Sequence, residues 1–143
     1  MTHSHYKKLE NIYLNANLNK DIYTNTEIII LKNYSEIKMP IKQDYFHALN
    51  AIHGSIYFKM LDDAAFFAAQ SVVEDYMLLT ASFNITFKMS VPNGYIKSIG
   101  KLSSVSEKEF TAESKMYNTK NELVAFGNGI FKKSKISIDS IKY

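Results

Sequence analysis

The longest apolar stretch of the chain runs from Gly54 to Val73, and its pattern predicts a helix with almost no polar face. Only four of its 20 residues carry a charge or a side-chain amide: Lys59, Asp62, Asp63 and Gln70. No glycine or proline interrupts it after Gly54, so a helix can extend for about 30 Å. A helix that is apolar on nearly every side must be surrounded by other structure, so we expect it at the centre of the fold.

Extended segments are predicted on both sides of this helix, and most of them follow it. The clearest is 79–91, where apolar and polar residues alternate over thirteen positions from Leu79 to Val91, which predicts a strand with one buried and one polar face. Further strands are predicted at 27–31, 36–41, 95–105, 110–117 and 123–132, and the run 136–141 is ambiguous. A short amphipathic helix is predicted at 5–18, because its apolar residues recur at three- and four-residue intervals.

The order of these elements indicates the fold class. One apolar helix followed by long antiparallel strands predicts an α+β fold in which a sheet wraps around a single central helix, the hotdog architecture. A ferredoxin-like fold would need a second amphipathic helix between the later strands, and the pattern contains none. We expect one domain over residues 1–143, with a helical N-terminal extension at 1–23 and a C-terminal tail at 134–143.

Composition narrows the possible classes of function. The chain has no cysteine, which excludes disulfides, thiolate metal sites and a cysteine nucleophile. All 17 basic residues are lysine, and the absence of arginine argues against nucleic-acid recognition, in which arginine is the favoured residue. No apolar run reaches the roughly 20 residues that span a bilayer, and the first residues lack the apolar core of a signal peptide. We therefore expect a cytoplasmic protein without a membrane partner.

The residues that can carry chemistry lie at the start and middle of the predicted helix. Gly54 opens the helix, where free N–H groups and the helix dipole can polarise a carbonyl group and stabilise an oxyanion. Asp62 shares its helix face with apolar residues, so burial should raise its pKa and suit it to activating water or attacking a carbonyl. The neighbouring Asp63 lies on the same side as Lys59, which predicts a structural ion pair.

Two spacings in this region resemble a known family, the PaaI-like and THEM-type acyl-CoA thioesterases of the hotdog fold. An acidic residue, Asp62, follows the His53-Gly54 pair nine positions after the histidine, and a hydroxyl residue, Thr80, follows eighteen positions later. The resemblance covers roughly residues 35–133. It implies hydrolysis of an acyl-CoA or acyl-carrier-protein thioester without metal or cofactor, by a homodimer or homotetramer. It also implies a site at a subunit junction, with Asp62 and the Gly54 amide from one chain and Thr80 from its partner.

Two positions differ from the family pattern. Ser55 stands where relatives have a second glycine, a small change that still permits close approach of a ligand. Relatives often have an asparagine six residues before the histidine, where this chain has His47, so the contact to the substrate carbonyl falls either to His47 or to Asn50. We expect His53 to cap and shape the helix start rather than to transfer protons.

The sequence leaves two alternatives to catalysis open. Thr80 belongs to a regular polar strand face and can equally be a plain surface residue. A non-catalytic sensor or binding module for acyl thioesters, on the same fold, is the main alternative function. An acid at position 62 favours the enzyme, since a sensor would not require it.

Overall fold

The computed structural model describes residues 3–142, which form one antiparallel sheet wrapped around a central helix. The helices are α1 (His3–Asn15) and α2 (Gly54–Gln70), and a single π-helical turn, Leu18–Ile22, follows α1. The strands are β1 (Glu27–Leu31), β2 (Tyr34–Pro40), β3 (Tyr76–Phe87), β4 (Tyr95–Val105), β5 (Glu109–Tyr117) and β6 (Leu123–Ser137). Short 3-10 turns occupy Gln43–Tyr45 and Ile138–Ser140. The predicted α+β hotdog fold is confirmed.

The six strands form a single sheet in the order β1-β2-β4-β5-β6-β3. All neighbouring pairs are antiparallel, and β1 and β3 are the two edge strands. The sheet covers α2, whose apolar faces are buried as its pattern predicts. The largest fully buried side chains of the core are Leu9, Ile30, Ile37, Met39, Ile52, Met60, Leu61, Leu78, Ile96, Met116, Phe131 and Ile138.

Strand β3 corrects the expectation of an unbroken alternation. Its pairing with β6 shifts between Thr80 and Ser82, so Ala81 is an extra residue in a β-bulge. The bulge reverses which positions face α2. Leu78 is buried before it, Phe83 packs on the core after it, and Leu79 is more than half exposed although the pattern placed it on the buried face.

Other predicted boundaries are close to those observed. Helix α1 begins two residues earlier than predicted and ends at Asn15, and α2 ends at Gln70 rather than at Val73. β6 continues through the first residues of the predicted tail, to Ser137, so the ambiguous segment 136–141 is the end of a strand and a 3-10 turn. Within residues 3–142, no helix is both long and apolar enough to cross a bilayer.

Candidate active site

The structure brings Asp62 and Thr80 together within one chain. Thr80 Oγ1 donates a hydrogen bond of 2.9 Å to Asp62 Oδ1. This contact depends on the bulge at Ala81, because the bulge allows both Thr80 and Phe83 to face α2 although they are three residues apart. Thr80 thus reaches Asp62 from its own chain, whereas the family resemblance implied that the partner chain supplies it.

The carboxyl group of Asp62 is partly buried, and its surroundings favour a proton. Burial raises its pKa to about 6, and the negative charge of Asp63 contributes in the same direction. The hydrogen bond from Thr80 and the charge of Lys59 act in the opposite sense. The raised pKa expected from the sequence is confirmed, and it is a useful property for a group that must take a proton near neutral pH.

Small side chains on the inner face of the sheet hold α2 in place beneath Asp62. Ser35 Oγ donates to the Ala64 carbonyl at 2.6 Å, and Ser114 Oγ donates to the Leu61 carbonyl at 2.8 Å. A Cβ atom at Gly100 would lie 2.1 Å from the Ala64 carbonyl oxygen, so only glycine fits there. These contacts set both the height and the rotation of the helix that carries Asp62.

The turn between α2 and β3 is organised by Gln70, which is completely buried. Its Nε2 donates to the carbonyls of Val73 and Tyr76, at 3.1 and 3.0 Å, and its Oε1 accepts from the Leu78 N–H at 2.7 Å. All three contacts tie the end of the helix to the start of the strand. Gln70 therefore helps to align Thr80 with Asp62, a role that the sequence analysis did not assign to it.

Asp63 has the structural role that its spacing from Lys59 predicts. Its Oδ2 lies 2.7 Å from Lys59 Nζ and accepts a hydrogen bond of 2.7 Å from the Tyr13 hydroxyl. Lys59 also donates to Asn19 Oδ1 at 2.7 Å and to the Tyr13 hydroxyl at 3.1 Å. This network, Tyr13, Asn19, Lys59 and Asp63, joins the N-terminal segment to α2, and we call it the clamp.

The start of α2 forms a second cluster of predicted residues. His53 is the N-cap, and its Nδ1 accepts a hydrogen bond of 3.0 Å from the Ser55 N–H. The same nitrogen lies 2.9 Å from Ser55 Oγ. His53 therefore has the capping role expected from the sequence, and Gly54 lies at the first helical position, where N–H groups have no partner within the helix.

His47 and Asn50 lie in a tight turn that leads into this cluster. The His47 N–H donates to the Ala51 carbonyl at 2.9 Å, and His47 Nδ1 accepts from the Leu49 N–H at 3.0 Å. Asn50 has a φ of 63°, in the left-handed region that asparagine tolerates well, and its side chain is exposed. The contact of either residue with a substrate carbonyl stays a prediction.

The two clusters are separated along the helix. Asp62 lies eight positions after Gly54, which corresponds to about 12 Å along the axis. A general base and an oxyanion donor must both lie about 3 Å from one reacting carbonyl group or its attacking water. Gly54 and Asp62 of the same chain are farther apart along the helix than that, and the expectation that one chain supplies both to a single site stays a prediction.

An apolar groove of about 440 Å³ lies beside Asp62 and Thr80. Its apolar lining includes Leu18, Phe66, Met77, Leu79, Ile136 and Ile141, and the residues of the clamp form part of its wall. The sequence analysis did not find this groove, because its walls come from both ends of the chain. Among residues 3–142, no group of three or more His, Asp or Glu side chains is arranged to hold a metal ion.

Comparison with known proteins agrees with this fold. The model of the thioesterase superfamily matches residues 49–125, a segment that contains α2, Asp62 and Thr80. None of the curated proteins matches the chain. The central helix within a six-stranded antiparallel sheet is the architecture of the hotdog class of proteins. The chain belongs to the thioesterase superfamily.

Solved structures show how closely the fold is shared. The PaaI protein of Escherichia coli, from the phenylacetic acid degradation operon, has a TM-score of 0.83 at 15% identity, with 94% of this chain and 96% of that chain covered. A thioesterase from Haemophilus influenzae has a TM-score of 0.76 at 12% identity, covering 89% and 88% of the two chains. A putative esterase from Mycobacterium tuberculosis has a TM-score of 0.72 at 14% identity, covering 76% and 90%. At these identities the likeness concerns the fold alone.

Proposed function

We propose that the protein hydrolyses acyl thioesters of coenzyme A or of an acyl carrier protein to the free acid and the thiol. The observation that carries this proposal is the Asp62 carboxylate, partly buried, hydrogen-bonded to Thr80 and with a pKa raised to about 6, at the mouth of an apolar groove. A carboxylate with this pKa is largely ionised at pH 7 and is still basic enough to take a proton from water. Membership in the thioesterase superfamily supports the same reaction.

The geometry suits Asp62 as a general base. Thr80 holds Oδ1, which leaves Oδ2 to accept a proton from a water molecule. The oxygen of that water attacks the thioester carbonyl carbon, and the tetrahedral intermediate then expels the thiolate, which takes a proton to become the thiol. Direct attack by Asp62 to form an anhydride, followed by hydrolysis, is the other route available to the same carboxylate.

The oxyanion donor in this proposal is the Gly54 amide of the partner subunit. Strand β3 is an edge strand of 12 residues, and Leu79 and Phe87 on it are more than half exposed. A long edge strand with exposed apolar side chains favours pairing with another strand. If β3 paired in antiparallel fashion with β3 of the partner subunit, with the pairing centred near Phe83, Thr80 would lie opposite the C-terminal end of the partner's β3. In this chain that end carries Phe87, which packs against Gly54.

The proposal is tested by a thiol-release screen over acyl-CoA and aryl-CoA thioesters, with Asp62→Asn and Asp63→Asn as matched variants. Asp62→Asn should lower kcat by at least about 10²-fold, the loss expected when a general base or nucleophile is removed. Asp63→Asn should cost less than about tenfold, because Asp63 is occupied by Lys59 and Tyr13 and contributes only indirectly. Circular dichroism checks that both variants fold.

Three results would contradict the proposal. Equal losses of kcat in the two variants, or a larger loss in Asp63→Asn, would mean that Asp62 is not the reacting carboxylate. Binding of acyl-CoA thioesters without any thiol release would instead support a sensor or binding module on the same fold.

A further inference from the structure

The groove beside Asp62 extends toward the C-terminal end of α2. Along the helix its lining runs from Lys59 past Asp62 to Phe67, and along β3 it runs from Thr80 back to Met77. Three strand residues correspond to about 10 Å. The groove therefore leads away from the reacting carboxylate over a length that a substituent on the carbonyl carbon could occupy.

The side chains that can adjust to a ligand in this groove are aliphatic. Phe67 packs edge-to-face against Tyr13 and Phe66, with ring centroids 5.1 and 5.0 Å apart, and Phe66 also packs against Phe131 at 5.8 Å. Turning either ring to stack flat on an aryl group would break these edge-to-face contacts. The remaining apolar lining is leucine, isoleucine, methionine and alanine.

The polar groups of the groove wall are already engaged with one another. The ammonium group of Lys59 has three N–H donors, and it has three acceptors within 3.1 Å: Asp63 Oδ2, Asn19 Oδ1 and the Tyr13 hydroxyl. The hydroxyl hydrogen of Tyr13 is in turn donated to Asp63. A carboxylate on the ligand would have to displace one of these three acceptors in order to bind Lys59.

We propose that this groove binds an aliphatic acyl chain without polar substituents, and that Leu18 on the N-terminal segment is a specificity-determining residue. The inference rests on the proposed thioesterase function and names its substrate class. Its structural basis is the continuity of the aliphatic groove with the Asp62–Thr80 pair.

The clamp holds the N-terminal segment in a fixed position, so that this segment can form one wall of the groove. Leu18 lies between two clamp residues, Tyr13 and Asn19, and both bind Lys59 of the catalytic helix. Asn19 Nδ2 also donates to the Tyr13 carbonyl at 2.9 Å, which closes the segment on itself. Leu18 is therefore held at a set distance from Asp62, although about half of its surface is exposed.

The experiment measures kcat/KM for acetyl-, butyryl-, octanoyl-, dodecanoyl- and phenylacetyl-CoA with wild type, Leu18→Trp and Leu14→Trp. Leu14 is the matched control, because it is an exposed leucine of α1 outside the groove. In wild type, kcat/KM should rise about two- to fourfold for each methylene buried, and octanoyl-CoA should exceed phenylacetyl-CoA. Leu18→Trp fills the groove and should lower the octanoyl-to-acetyl ratio by about tenfold or more, whereas Leu14→Trp should leave it unchanged.

A binding measurement separates this inference from the proposed function. Calorimetry with the thioethers S-octyl-CoA and S-ethyl-CoA needs no turnover. Tighter binding of S-octyl-CoA than of S-ethyl-CoA by wild type, with this difference lost in Leu18→Trp, would support the groove as an acyl-chain site even if no thioester were hydrolysed. Equal binding of the two thioethers, a profile that does not depend on chain length, or a preference for phenylacetyl-CoA would overturn it. Leu18→Trp could instead change the particle mass measured by light scattering and leave the chain-length profile unchanged. That result would show that the groove contacts a second copy of the chain and does not bind the acyl group.

Discussion

Burial is the main cause of the raised pKa of Asp62, and a few neighbouring groups shift that pKa further up or down. Its pKa of about 6 predicts that turnover falls as the pH drops through this value, because the protonated acid can neither accept a proton nor attack. The Thr80 hydrogen bond stabilises the ionised form. Thr80→Val should therefore raise the pKa further and move the acidic limb of the pH–rate profile to higher pH. The plateau rate should also fall about tenfold, as expected for the loss of a hydrogen bond to a charged group.

This prediction is checked by pH–rate profiles of wild type, Thr80→Val, Thr80→Ser and Thr86→Val. Thr80→Ser keeps the hydroxyl group and should restore both the limb and the plateau. Thr86 lies on the same strand and is exposed, so its valine variant should behave like wild type. A limb that does not move in Thr80→Val would show that the hydrogen bond does not act on Asp62 in solution.

Single residues were predictable from the sequence where spacing along one element was sufficient. The raised pKa of Asp62, the pairing of Asp63 with Lys59 and the capping role of His53 all follow from positions on one helix. The partners that come from distant segments were not predictable in this way. Tyr13 reaches Asp63 across 50 residues, and no local pattern indicates that contact.

At the scale of elements, the connection between α2 and β3 depends on one buried amide. Replacing Gln70 with methionine keeps the approximate volume but leaves two carbonyls and one N–H without their partner. Each unsatisfied buried group costs about 1–3 kcal/mol, so Gln70→Met should lower the free energy of unfolding by about 3 kcal/mol or more. Urea denaturation measures this loss. A cost below about 1 kcal/mol would mean that the turn rearranges to satisfy these groups another way.

The elements themselves were largely predictable, and the exception is instructive. Periodicity predicted both helices and all six strands, because burial imposes a period of 3.6 or 2 on apolar residues. The bulge at Ala81 was missed because the letters on both sides of it alternate regularly. Leu79 follows the apolar pattern yet is exposed at the sheet edge. Pattern alone cannot distinguish an apolar residue that faces the core from one that is exposed at the edge of the sheet.

At the scale of the whole molecule, we predict a dimer in which each active site uses both chains. Light scattering at micromolar concentration should give a mass of at least twice 16.4 kDa. The division of residues between chains can be tested with Gly54→Pro and Asp62→Asn. Proline lacks the N–H and fits the first position of a helix, and the extended His53 before it, at φ −67° and ψ 150°, accepts a following proline.

Each variant alone should be nearly inactive, whereas Gly54→Ala keeps the amide and should remain active. Co-refolding Gly54→Pro with Asp62→Asn should recover roughly a quarter of wild-type activity, because random assortment gives half heterodimers with one intact site each. No recovery, with heterodimers present, would mean that the amide and the carboxylate act within one chain. A stable monomer would remove the shared site altogether.

The groove illustrates what the sequence could not predict at this scale. Leu18 and Ile136 are 118 positions apart, and each is an unremarkable apolar residue in its own segment. Their common role follows only from the way the two ends of the chain meet beside α2. The family resemblance predicts Asp62, Gly54 and Thr80 as site residues, but the groove beside Asp62 is visible only in the structure.

The small residues beneath α2 have a consequence for how this protein tolerates change. Gly100, Ser35 and Ser114 touch only the backbone of the helix, at the carbonyls of Ala64 and Leu61. In a library of all single substitutions screened for activity, these three positions should appear as depleted as Asp62, although none of them meets a substrate. Larger side chains at these three positions would push the helix away from the sheet and misplace Asp62. Substitutions that change acyl specificity, in nature or in laboratory evolution, should therefore occur in the groove rather than at these three positions.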